Sequence, residues 1–360
     1  MRDPLHTVVC DQLGCRYPII QTAMGWVARP ELVAASCNAG AFGFLAAAVM
    51  NPDDVGPAID RVRSLTDQPF GVNFHMFQPG AAQIVDTVIA KRVAAVSFGR
   101  GPDAGMIARF REAGIRCVPT VGAVKHARKM ADLGVDMLVV QGGEGGGHTG
   151  SVASTVLLPQ VLDAVRLPVL AAGGFADGRG LAAALAYGAQ GIAMGTRFLM
   201  TRDCPVPDPT KTRYTAATTD DIVVTTQIDG MPQRMIRNEV LGRLERAGPL
   251  RRLQLALSSA LALKKITGAT LGEMLQSARR MSHGGDLSLG QSVMAAIAPV
   301  MFQRSMVAGQ PQEGLLATGQ VAGRLGDLPS CEELVAGIVR DARERLAAIG
   351  AAPAADRGAA

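Results

Sequence analysis

Over the first two hundred residues, short apolar runs alternate with amphipathic stretches. Residues 18–22, 42–46, 70–74, 93–98, 115–120, 137–141, 168–172 and 191–194 predict eight strands. These runs are apolar on both faces, as parallel strands covered on either side must be. Helical segments lie between them. Residues 30–38 end at Ala39-Gly40, and 52–64 start from Asn51 with Pro52 in the first turn. Gly114, Gly134 and Gly188 stop the segments 105–113, 123–133 and 179–187, and 155–164 completes the series. Repeats of this kind predict an α/β fold, a (β/α)8 barrel. The alternative is a doubly wound open sheet, but no G-x-G-x-x-G follows the first strand.

The rhythm stops at Cys204-Pro205-Val206-Pro207-Asp208-Pro209. The expected organisation is a barrel over 1–205 and a mostly helical insertion over 206–312, after strand eight and above the barrel mouth. A C-terminal segment over 313–349 then returns to the barrel as a helix that runs to Ala348, N-capped by Ser330 with Glu332 and Glu333 in its first turn. The low-complexity stretch 350–360 is expected to be disordered.

Composition narrows the functions. Of 360 residues 48% are hydrophobic but only 4% aromatic, so Ala, Val, Leu and Gly must fill the core. The six cysteines form no C-x-x-C pair and do not cluster with the five histidines. They predict reduced thiols in a cytoplasmic protein and no metal site. No signal peptide or membrane-length apolar run is evident. From Met231 to Arg280 ten Lys or Arg face three acids, a local surplus of +7 in a chain of formal charge +5. It suits a polyanionic small molecule or an ordinary solvated helical face. Nucleic acid is not expected, because no aromatic interleaving accompanies the basic residues. The expected partners are a small-molecule substrate and a second copy of the chain.

Barrel sites form where strands end. The sixth strand runs into Gln141-Gly142-Gly143-Glu144-Gly145-Gly146-Gly147-His148-Thr149-Gly150. Glycines there let a ligand lie against bare main chain, and Gly146 is a candidate contact. An unperturbed imidazole exchanges protons near neutral pH, so His148 is the candidate catalytic base, unless the loop is a surface loop with an idle histidine. Gly173 and Gly174 after strand seven, with Gly195 and Thr196 after strand eight, offer backbone N–H groups and a hydroxyl to a phosphate, or else are packing turns. With a redox site this points to FMN. Thr22, Ala23 and Met24 follow strand one. Asn73 and Gln141 sit at strand ends as neutral amides for a flavin ring, or as satisfied core amides. His75 and the sole tryptophan, Trp26, border the mouth as substrate contacts, Trp26 alternatively as a packing anchor.

These residues resemble the FMN-dependent nitronate monooxygenases, formerly 2-nitropropane dioxygenases. The match rests on residues 140–150, 171–180 and 194–198 and resumes at Gly319-Gln320-Val321-Ala322-Gly323. The resemblance implies flavin contacts at Met24, Asn73, Gln141, Gly173, Gly174, Gly195 and Thr196, with His148 as base. Two positions depart from the family pattern: Ala23 stands where proline is usual, and Gly145 where alanine is usual. Residues 21–28, 142–150 and 229–234 are similar to an actinobacterial branch that acts in steroid-ring degradation. That branch implies α,β-dehydrogenation of a bulky alicyclic CoA thioester, a hydroxy-methyl-oxo-octahydroindene carboxyl-CoA, with NAD as a candidate electron acceptor. Arg234 and Arg237, with Arg251 and Arg252, are then candidates for the CoA phosphates. The alternatives are oxidation of alkyl nitronates with O2, NAD(P)H-dependent quinone or enoyl reduction, and a barrel that only binds its ligand.

Overall fold

The apolar runs become the staves of a barrel. The computed structural model describes residues 3–76, 78, 80–99, 104–246 and 289–350. In chain order the strands are β1 (Ile19–Gln21), β2 (Phe42–Ala46), β3 (Gly71–Asn73), β4 (Ala95–Ser97), β5 (Arg116–Cys117), β6 (Thr120–Val121) and β7 (Leu138–Gln141). A short β8 (Gly147–His148) leaves the barrel, and β9 (Val169–Ala172) and β10 (Gly191–Met194) complete it. Parallel neighbours run β5-β4-β3-β2-β1-β10-β9-β7-β6. The expected fifth strand, 115–120, is interrupted, because Pro119 has no N–H for a ladder. Its first half pairs with β4 and its second with β7. One stave thus closes the barrel by changing partners: Val118 N–H donates to the Val96 carbonyl, and the Pro119 carbonyl accepts from Val139 N–H.

Around and beneath the barrel lie α1 (Val8–Leu13), α2 (Pro30–Asn38), α3 (Pro52–Arg63), α4 (Ala81–Ala90), α5 (Ala104–Glu112), α6 (Val124–Asp132), α7 (Ser154–Ala164) and α8 (Gly178–Tyr187). Two of these are additional to the helices expected from the sequence. Helix α4 is rich in β-branched residues, which weaken a helical signal, yet it buries Ile84, Val85 and Val88 on one side. Helix α1 packs Val9, Cys10 and Leu13 against the barrel interior with Ile20, Phe42 and Met137. All six cysteines are buried and unpaired.

Beyond β10 come α9 (Thr196–Leu199) and α10 (Asp208–Thr215), then β11 (Ile222–Thr225), β12 (Gln233–Ile236) and α11 (Glu239–Arg246). The described part of the segment read as mostly helical therefore contains a sheet. β12 pairs antiparallel with β11 on one edge and with β8 on the other, with Gln233 opposite His148 and Arg234 opposite Gly147. Helix α12 (Leu289–Met306) then leads back toward the barrel. Arg251, Arg252 and the other basic residues between 247 and 288 lie outside the described residues, as does the tail 351–360. Among the described residues no helix is long and apolar enough to cross a membrane.

The last helix, α13 (Cys331–Gly350), starts at the expected cap: Glu333 N–H donates to Ser330 Oγ, and Ser330 N–H to Glu333 Oε2. It lies on α8 so closely that a Cβ on Gly178 would stand 2.4 Å from Ala342 N. Asp177 ties this region together. Its Oδ1 accepts from Gly180 N–H as the N-cap of α8, and its Oδ2 accepts from Arg179 and Arg324. Burial pushes the carboxyl up, but Arg179, Arg324 and the Gly180 N–H outweigh it and hold the group at about 2, below the ordinary 3.8. A depressed carboxyl stabilises the fold above its unfolded value and loses that contribution as pH falls through its folded value. Replacing Asp177 by Ala should cost about 1 kcal/mol at neutral pH, the usual loss of a cap. The difference from the unchanged protein should shrink as pH drops from about 4 to about 2. Urea melts of both proteins across that range check this.

Candidate active site

The strand exits enclose a cavity of about 500 Å³ at the barrel mouth, within the range of small-molecule sites. Its floor is glycine. Gly173 and Gly174 take φ of 93° and 84°, conformations that keep β-carbons off this turn. A Cβ on Gly173 would lie 3.0 Å from the Gly142 carbonyl oxygen, so the loops after β7 and β9 meet main chain to main chain. At Gly146 the returning segment closes in, with Gly319 N 2.5 Å from where a Cβ would be. Gly195 adjoins Met24, and Thr196 opens α9. The Thr196 hydroxyl accepts from Gly319 N–H and keeps its own proton for another acceptor.

Polar side chains rim this floor. Asn73 donates to the Ser97 carbonyl, and both residues line the cavity. Gln141 Nε2 donates 2.9 Å to the His148 carbonyl, folding the glycine loop back on its own strand. This explains the departure at Gly145, where a Cβ would lie 2.4 Å from Gln141 Nε2. Alanine there requires Gln141 to release the loop or take another rotamer. Glu144 is a structural residue: its carboxylate accepts from Ser154 N–H and Oγ and caps α7.

Thr22, Ala23, Met24, Trp26, His75 and His148 also border the cavity. His148 is held on β8 by the insertion sheet, with its side chain 56% exposed. Its Nε2 lies 2.6 Å from Oδ2 of Asp229. Burial alone would raise the Asp229 carboxyl. The His148 bond and charge, the Gln233 side chain and the Met231 N–H outweigh it and draw the group below its ordinary value. Asp229 and Gln233 both reach the cavity, and neither was expected as a site residue. Their local signals are the Asp229-Gly230 turn and the similarity of residues 229–234 to the actinobacterial branch; the approach to His148 spans 81 residues and is a product of the fold.

Trp26 sits at φ 61°, an uncommon backbone for a bulky residue. Its ring stacks on Phe302 of α12, with centroids 6.2 Å apart and planes 19° from parallel. With Val49, Ala298, Pro299 and Met306 the pair forms an apolar wall opposite the glycine floor. Both readings of Trp26, packing anchor and mouth surface, therefore describe the same side chain.

Arg234 and Arg237 do not border the cavity. Arg234 Nη2 donates to the Gly143 carbonyl from behind the loop, and Arg237 pairs with Glu245 at 3.2 Å. Arg234 supports the glycine loop through that bond, while its Nε is buried with no hydrogen-bond partner among the described residues.

Comparison with known proteins adds to this geometry. A model of the family described as nitronate monooxygenase matches residues 6–87 and 78–341. The chain is 48% identical, over 95% of its length and 97% of the relative's, to the (3aS,4S,5R,7aS)-5-hydroxy-7a-methyl-1-oxo-octahydro-1H-indene-4-carboxyl-CoA dehydrogenase of Mycobacterium tuberculosis. It is 46% identical to the protein of the same name from Rhodococcus jostii, over 96% of this chain and 98% of that one. Among solved structures, FabK from Thermotoga maritima superposes with a TM-score of 0.76 at 31% identity, covering 96% of this chain and 98% of the other.

Proposed function

The chain belongs to the nitronate monooxygenase family of flavin-dependent oxidoreductases, and from that premise we propose that it desaturates a bulky alicyclic acyl-CoA thioester. The observation that carries this reading is one cavity bordered by three kinds of surface: bare glycine main chain, a hydrogen-bonded imidazole and an aromatic wall. Near-full-length similarity to two dehydrogenases named for an octahydroindene carboxyl-CoA supports the substrate class.

The residues present fit FMN as the cofactor. Positive φ at Gly173 and Gly174 keeps side chains off the turn, and their main chain with that of Gly195 and Thr196 would take the phosphate. Asn73, Gln141 and Met24 would border the ring. When bound, FMN would supply the acceptor for the hydride that the β-carbon loses in desaturation. The protein's own part is proton chemistry and shape. A thioester acidifies its α-hydrogen, and His148 would accept that proton. Asp229 would stabilise the imidazolium that results. Trp26 and Phe302 would cover the fused rings and exclude water. NAD is the proposed final electron acceptor, and the cytoplasm the proposed compartment.

The test is an anaerobic titration of the yellow holoprotein. A saturated bicyclic carboxyl-CoA should bleach the flavin band, and propionate nitronate should leave most of it. Rapid bleaching by the nitronate with none by the acyl-CoA would replace this reading with nitronate oxidation. Recovery of colour on adding NAD, before any air, tests the acceptor.

A further inference from the structure

Resting on the reading of His148 as the base, the geometry assigns a specific atom to the proton. Asp229 has both carboxylate oxygens committed. Oδ2 faces His148 Nε2 at 2.6 Å, and Oδ1 accepts from Met231 N–H at 3.1 Å. The Asp229 side chain is only 17% exposed, so water does not compete freely for it. An ionised carboxylate only accepts hydrogen bonds. The hydrogen between the two residues must therefore belong to Nε2, and a neutral imidazole then carries its lone pair on Nδ1.

We propose that Asp229 is a positioning residue that fixes His148 as the Nε2–H tautomer and makes Nδ1 the atom that takes the substrate proton. Asp229 and Gln233 both come from the segment after β10, and the β12–β8 ladder sets Gln233 beside His148. The barrel thus supplies the base and the insertion supplies its orientation. On protonation Nδ1 gains a hydrogen, Nε2 keeps its own, and the resulting imidazolium rests against the carboxylate. The other charged or titratable groups nearby do not replace Asp229. Glu144 is committed to Ser154 and Arg234 to the Gly143 carbonyl, while His75 borders the cavity from the exit of β3. Helix α12 adds Ala298, Pro299, Phe302 and Met306 to the wall and no charge.

The discriminating variant is Asp229→Asn. Met231 N–H favours the amide oxygen on its own side, which turns Nδ2 toward His148. Nε2 must then accept, and the tautomer inverts. The experiment uses holoprotein with 15N-labelled histidines, with His148 assigned by loss of its signals in His148→Gln. Long-range proton–nitrogen correlations, recorded where the ring is neutral, separate the two tautomers. The unchanged protein should show Nε2 protonated and Nδ1 bare, and Asp229→Asn should show the reverse or a mixture. Its kcat on the acyl-CoA should fall about 100-fold or more with little change in KM. An Nδ1–H tautomer in the unchanged protein would overturn the proposal, and so would one pattern shared by both proteins, or an unaltered kcat. Inactivity of the unchanged protein on every acyl-CoA would sink the substrate reading alone, because the tautomer is read without turnover.

Discussion

Replacing His148 by Ala is expected to leave the protein folded and yellow while slowing its reduction by substrate about 100- to 10,000-fold, the range that a positioned general base contributes. Three observations separate the chemical loss from a structural one. The side chain is 56% exposed, so its removal opens no core cavity. The ladder to β12 uses the main chain, which alanine keeps. Gln141 holds the loop through the His148 carbonyl, which alanine also keeps. The melting temperature should fall only slightly, by what Asp229 loses with its partner, the flavin content should stay close to that of the unchanged protein, and the main loss should fall on kcat. Stopped-flow reduction under nitrogen, with melting curves alongside, checks both halves. A variant reduced at the same rate would remove His148 from the proton step.

The second large effect is expected at Gly173. Alanine there must hold φ near 93°, which costs an L-residue roughly 1–2 kcal/mol. Its Cβ would also lie 3.0 Å from the Gly142 oxygen and 3.2 Å from the backbone nitrogens of Gly142 and Gly145. Those atoms are main chain on the glycine loop, so they yield only if the loop moves away from β9. Flavin binding should weaken about tenfold or more, since each 1.4 kcal/mol of strain imposed on the bound geometry is a factor of ten. Gly114→Ala is the matched control. Gly114 takes φ 73° in the turn between α5 and β5, with nothing within 4 Å of a new Cβ. It should lose comparable stability and keep its flavin. Equilibrium dialysis of FMN against both variants gives the comparison.

Much of this architecture can be read from local patterns, and the exceptions share a cause. The eight apolar runs lie within a residue or two of the observed staves, because a strand buried on both faces must be apolar throughout. The fifth run reads as one strand, and only the structure shows it broken at Pro119, where the partners change. The glycine turns were legible too, since each has little chemistry beyond backbone freedom. The small sheet was not. β8 is two residues in a glycine loop, and it becomes a strand only when β12, more than eighty residues on, lies beside it. Asp229 reaches His148 by the same route, and Phe302 reaches Trp26 across most of the chain. Arg234 shows the converse. Its sequence neighbourhood is basic and suggests a phosphate, yet the fold turns its guanidinium onto a carbonyl. Charge counted along a chain does not say which side chains the structure has already used.

One side chain offers a direct view of the cavity. Trp26 is the only tryptophan in the chain and borders the site. Its emission overlaps flavin absorption, so a flavin seated at the barrel mouth must quench it. The decisive measurement is a fluorescence titration of the full-length apoprotein with FMN, exciting the tryptophan. The expected result is deep quenching that saturates at one FMN per chain and is weakened in Gly173→Ala. Stoichiometric FMN binding that leaves Trp26 emission unchanged would mean the flavin sits elsewhere, and the assignment of this cavity as the redox site would fail.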